Sequence, residues 1–139
     1  MASIRREVVI QADPDAVWDA LRDWGAIHSR LVPGFVLDTR LDGEDRIVTF
    51  FNGADVKESF VDCDDEARRL VWAIGDGSLG LTHYNACGQV LPEGVDSARF
   101  VWITDLLPHA LAPTVAGMME RGIATMKETL EAVPARQAD

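Results

Sequence analysis

The chain has 139 residues, 47% hydrophobic and 26% charged, with a formal net charge of −10. That is the length and composition of one globular domain, 1–139, able to bury about 70% of its unfolded surface. An acidic balance without any Lys/Arg block excludes nucleic acid as an expected partner. The absence of any apolar run of about 18 residues excludes membrane insertion by a helix. The opening Met-Ala-Ser-Ile-Arg-Arg-Glu is charged with no apolar stretch behind it, so no signal peptide is expected. Only two cysteines occur, Cys63 and Cys87, and their wide separation fits buried thiols in a reduced, cytoplasmic protein.

Residues 3–10 read as a first strand, followed by Asp13-Pro14-Asp15, an N-cap with proline at the first helical position. Ala16, Val17, Leu21 and Trp24 then recur at helical spacing, with Gly25 as the stop, and a weakly helical stretch from Ala26 to Leu31 runs into the turn Val32-Pro33-Gly34. From Phe35 to Leu107 the signals are strand and hairpin. Phe35 to Leu41 ends at Asp42-Gly43, and Arg46 to Phe51 ends at Asn52-Gly53, both hairpin dipeptides. Strands Val56 to Cys63, Arg69 to Ile74, Leu81 to Leu91 and Ala98 to Leu106 follow with short turns, which makes the meander antiparallel.

A last helix begins between His109 and Thr114 and ends before Pro134. Its stripe is Leu111, Val115, Met118, Met119, Ile123, Met126, Leu130 and Val133 at steps of three and four. At about 1.5 Å per residue it reaches on the order of 30 Å, enough to cross a sheet. Seven strands, two short helices and one long helix define an α+β fold in which that helix covers the sheet's buried face.

Several segments carry a family resemblance. They are Ala12-Asp13-Pro14-Asp15-Ala16-Val17-Trp18 with Leu21-Arg22-Asp23-Trp24-Gly25, then the hairpin Glu58 to Glu66 with Arg69-Leu70-Val71-Trp72. Leu81-Thr82-His83-Tyr84 and Gly122-Ile123-Ala124-Thr125-Met126-Lys127 complete the set. The order resembles the helix-grip fold of the START-like (SRPBCC) superfamily, shared by pollen allergens, lipid-transfer domains and polyketide cyclase/dehydrase-like proteins. The resemblance implies a curved seven-stranded antiparallel sheet around the C-terminal helix, gripping a small apolar ligand. By likeness to plant hormone-receptor members, Phe50, Glu58, Phe60, Trp72, Tyr84, Phe100 and Trp102 face the cavity, and Met118 and Gly122 close it. The receptors' pocket lysine is replaced near Leu31, and their proline-bearing gate loop by the Asn52-Gly53 turn, which argues against hormone reception.

Period-two alternation tests these positions separately. Leu70, Trp72 and Ile74 share one face, as do Ala98, Phe100, Trp102 and Thr104, and the charged residues of the opposite faces turn the tryptophans inward. In Leu81 to Val90 the pattern is mixed, and only the resemblance prefers Tyr84 to His83. Trp72 and Trp102 read either as cavity walls or as plain core, and the methionines either as a pliable lid or as core. Glu58 is the sharpest chemical candidate. On the inner face, a carboxylate costly to ionise suits a general acid or base, and Tyr84 could donate a hydrogen bond to a ligand carbonyl. On the outer face, beside Lys57, Glu58 is a solvated charge. His28 lies either at the cavity mouth or on the surface. No metal motif, phosphate loop or nucleophile elbow occurs, and neither a metal nor a cofactor is expected.

The expected function is binding of a small hydrophobic, aromatic or polyketide-like molecule. The alternative is a cofactor-free cyclase, dehydratase or lyase using Glu58 and Tyr84. The expected state is monomer or homodimer.

Overall fold

The structure, a computed structural model, describes residues 1–132; Val133 of the expected helical stripe lies outside the described residues. The order is β1 (Ala2–Ile10), α1 (Pro14–Arg22), α2 (Ile27–Arg30), then the strands β2 (Val36–Asp42), β3 (Asp45–Phe50) and β4 (Asp55–Asp64). After them come β5 (Arg69–Ala73), β6 (His83–Gly94), β7 (Ser97–Leu107) and α3 (Ala112–Ala132). All seven strands form one antiparallel sheet in the order β1-β7-β6-β5-β4-β3-β2. Consecutive strands from β2 to β7 are neighbours, as short turns require, and β1 closes onto β7.

The caps explain the boundaries. Asp13 accepts the Asp15 amide at 3.0 Å, with Pro14 opening α1. That helix ends at Arg22, short of the expected stop at Gly25. Trp24 lies beyond it because its carbonyl and ring are both taken up by Arg46. Gly43 closes the β2–β3 turn at φ +63°, where a side chain would be strained. His109–Leu111 forms a short 3-10 turn ahead of α3.

One face of the sheet is lined by Val48, Phe50, Leu70, Trp72, Tyr84, Ala86, Phe100 and Leu106, all buried. Helix α3 buries Val115, Met119, Ile123, Met126 and Leu130 of its expected stripe together with Gly122, while Met118 is only partly buried and Leu111 lies in the turn before the helix. The helix is tied to β1 and the residue just after it at three levels. Arg6 pairs with Glu120 at 3.0 Å, Lys127 donates to the Val9 carbonyl at 2.6 Å, and the Gln11 amide donates to Glu131 at 2.8 Å. The opposite part of α3 is left to span a cavity rather than to pack tightly on strands. No described helix is long and apolar enough to cross a membrane.

Candidate functional site

A cavity of about 90 Å³ lies between the concave face of the sheet and α3. Its walls follow from strand parity. Arg46, Val48 and Phe50 come from β3, Glu58 from β4, Leu70 and Trp72 from β5, Tyr84 from β6, and Phe100 and Trp102 from β7. Helix α3 supplies Val115, Met118, Met119, Gly122 and Met126. Leu21, Ile27, Leu31, Val32, Phe35 and Val36 close the side toward α1 and α2. Leu79, at φ +61° in the turn before β6, reaches the cavity while remaining partly exposed.

The aromatic wall is continuous. Trp72 and Trp102 stand 6.1 Å apart between ring centroids, and Phe100 and Trp102 6.4 Å apart. Gly122 permits this wall to meet the helix. A Cβ there would lie 3.0 Å from Phe35 Cε2 and 3.2 Å from Trp102 Cζ3, so only glycine lets both rings approach. The indole nitrogen of Trp102 is buried without a hydrogen-bond partner among the described residues, and this bare donor sits in a residue of the cavity wall.

One corner of the cavity is charged. Arg46 and Glu58 are direct cross-strand partners in the β3–β4 ladder, so both side chains emerge side by side on the inner face. The guanidinium Nε and Nη2 both contact Glu58 Oε1, at 2.8 and 2.7 Å, with side chains only 5% and 8% exposed. Nη1 donates to the Trp24 carbonyl at 3.2 Å, and the guanidinium lies 3.7 Å over the Trp24 ring. Burial holds the Arg46 guanidinium below its usual value, and the Glu58 carboxylate works against that shift. Burial also pushes the Tyr84 phenol well above its ordinary value near 10. The nearby Glu58 charge adds to this, while Thr104, Trp72 and Arg46 oppose it. Tyr84 therefore stays a neutral hydrogen-bond donor near neutral pH.

Eight of the ten site positions read from the sequence meet here: Phe50, Glu58, Trp72, Tyr84, Phe100, Trp102, Met118 and Gly122. The open choice on β6 resolves to Tyr84, with His83 exposed on the other face. Phe60 does not line the cavity. It is 39% exposed and packs edge-on against Trp24 at 5.5 Å, just before a bulge between Phe60 and Asp62. His28 is also outside the lining; it sits in α2 with Nδ1 buried and without a partner. Glu58 is not the lone carboxylate expected, because Arg46 supplies its counter-charge. Sequence reasoning missed Arg46, although its alternation with Val48 and Phe50 already put it on their face. Phe35 was missed as well, standing at a turn where no periodicity applies.

An antiparallel sheet gripping a long helix around an apolar cavity defines the class: a helix-grip protein of the START-like superfamily. The polyketide cyclase/dehydrase and lipid transport family model matches residues 1–131, and the chain belongs to that family. No curated protein matches it in sequence. Among solved structures, a protein from Thermobifida fusca is 26% identical, with 97% of each chain covered and a TM-score of 0.79. Norcoclaurine synthase from Thalictrum flavum, in complex with dopamine and hydroxybenzaldehyde, is 23% identical over 94% of this chain and 84% of its own, at TM-score 0.69. The di-domain aromatase/cyclase (ARO/CYC) BexL from the BE-7585A biosynthetic pathway is 14% identical, at TM-score 0.74 over 94% of this chain and 47% of its own.

Proposed function

We propose that the chain binds a small hydrophobic molecule, aromatic in character, between the sheet and α3. The observation that carries this reading is a space between the sheet and α3 walled by Trp72, Phe100, Trp102 and Met119 with few polar groups. Such walls suit flat apolar rings, and the methionines adapt to several outlines. The size narrows the choice. An engineered apolar cavity of about 150 Å³ accommodates benzene, so a space near 90 Å³ suits one ring at most as it stands. A polyketide-sized ligand requires α3 or the segment around Leu79 to move outward. Dopamine and hydroxybenzaldehyde, present in the norcoclaurine synthase complex, are one-ring compounds and accord with the smaller class. The unpaired state of Cys63 and Cys87 supports a reducing, cytoplasmic setting. Native mass spectrometry of the purified protein tests the reading: a bound aromatic species released on denaturation supports it. A protein that neither carries such a species nor takes up a one-ring aromatic probe contradicts it.

A second reading rests on a different observation, the buried Arg46–Glu58 pair beside Tyr84. An ion pair withdrawn from water in an apolar cavity is costly and poorly explained by stability alone. In this reading the chain is a cofactor-free cyclase, dehydratase or lyase. Tyr84 donates to a ligand carbonyl, and Glu58 moves the proton through Oε2, the oxygen that Arg46 leaves outside the pair. Glu58→Gln then lowers turnover by roughly 10² or more with little change in affinity. Undiminished turnover in that variant removes the acid–base role.

A further inference from the structure

The two edges of the sheet are treated differently. The β1 edge is strapped by α3 through Lys127 and Glu131. The β2 edge meets Pro33 at Val36. Beyond that point, among the described residues, no hydrogen bond from outside the sheet reaches the backbone of residues 37–42. Two large apolar side chains stand on this bare stretch, Leu37 at 55% and Leu41 at 63% exposure. An open edge with exposed leucines is a template for another strand.

Its sequence specifies which strand. Leu37-Asp38-Thr39-Arg40-Leu41 reads the same under a two-fold rotation once charges are exchanged for their opposites. We infer that β2 is a self-pairing edge: two copies of this chain join antiparallel about a two-fold axis at Thr39. Asp38 of each copy then faces Arg40 of the other, a pair that occurs twice, with the exposed Leu37 and Leu41 flanking it. Sliding the register by two residues in either direction puts Arg40 against Arg40 or Asp38 against Asp38, so like charges reject the alternatives.

The observed strand geometry agrees. Asp38 and Arg40 are opposite Thr49 and Ile47, while Thr39 is opposite Val48, which is buried. The two charges therefore share the outer face, where the cross-copy pairs meet beside solvent. Asp42 and Asp45 close a two-residue turn. The alternation of ladder bonds from that pair sends the N–H and C=O groups of Leu41 and Thr39 outward. Those are the groups a Thr39-centred pairing uses. Among the described residues the ion pairs of Arg40 are long, 3.8 Å to Asp38 and 3.6 Å to Asp55, which leaves it able to turn to the other copy. The bulge between Val36 and Asp38 limits the paired run to a few residues. The interface is accordingly smaller than the roughly 1,200 Å² at which stable complexes begin, and association depends on concentration.

Sedimentation velocity over a micromolar-to-millimolar series tests this. The wild type should move from one chain mass to two as concentration rises. Asp38→Arg, which brings like charges together at both symmetric positions, should remain at one. The double variant Asp38→Arg/Arg40→Asp rebuilds the two-fold pairing with signs reversed and should regain the wild-type behaviour. Both positions are exposed and outside the cavity, so tryptophan fluorescence should be unchanged throughout. A wild type that stays monomeric leaves the edge to a strand of some other protein and overturns the inference. A wild-type dimer that survives Asp38→Arg, or that the double variant does not restore, overturns it too.

Discussion

Toward α3 the cavity wall is made of interchangeable parts: Met118, Met119, Val115 and Met126 against Trp102 and Phe100. At the β3–β4 corner it is made of one guanidinium and one carboxylate, matched atom to atom and shut away from water. Dispersion and area hold the first together, and the loss of one contact is shared among many neighbours. The second is held by a pairing in which neither member tolerates the other's absence. The difference separates the part of the site that sets ligand shape from the part that sets ligand polarity.

The comparison breaks most visibly at the charged corner. Arg46→Met should cost about 3–5 kcal/mol of unfolding free energy, because it leaves Glu58 buried without its counter-charge. The double variant Arg46→Met/Glu58→Leu should recover most of that loss in urea denaturation, since apolar residues replace both ions. A double variant as unstable as the single would mean that the corner's stability lies in the Trp24 contacts instead. At the apolar end Met119, almost wholly buried, should cost about 2–5 kcal/mol when cut to alanine. Met118, only partly buried, should lose less stability but change the preference among aromatic probes in competition titrations.

Tyr84 joins the two ends, and its effect is a pH dependence. Its phenol titrates higher in the folded chain than when unfolded, so above pH near 10 the unfolded state releases the proton first. The native state then binds more protons, and stability falls as pH rises. Below that range the contribution is fully present. Tyr84→Phe should flatten this alkaline slope. Since the chain has a single tyrosine, phenolate absorbance reads the group directly, and an ordinary titration in the folded protein would contradict its burial.

The smallest contrast lies within α3. Gly117 faces open space, and Gly117→Ala should gain up to about 1 kcal/mol from helix propensity. Gly122→Ala meets Phe35 and Trp102 at once and should lose about 1–3 kcal/mol from overpacking, less the same propensity gain. Thermal melts of the two variants moving the same way would show that the aromatic wall gives freely at the helix.

The apolar wall was legible in the sequence because it is written in local periods. Alternation in β5 and β7 put Trp72, Phe100 and Trp102 on the inner face, and steps of three and four gave α3 its stripe. The charged corner was only half legible. Glu58 stood out, but Arg46, following the Asp42-Gly43 turn, looked like a surface charge, and nothing local says that two strands align it with Glu58. Phe60 failed for a related reason. Its parity matches Glu58, yet Trp24, from a loop far away in sequence, takes it as a packing partner. Parity reports a face and not which element covers it.

A titration of tryptophan fluorescence with a one-ring aromatic ligand tests the central claim most directly. The chain has four tryptophans, of which Trp72 and Trp102 line the cavity and Trp18 and Trp24 do not. Binding between sheet and helix predicts saturable quenching in the wild type and its loss in a folded Trp72→Leu/Trp102→Leu variant. Saturable quenching that persists unchanged in that variant would place the ligand outside the cavity and contradict the account.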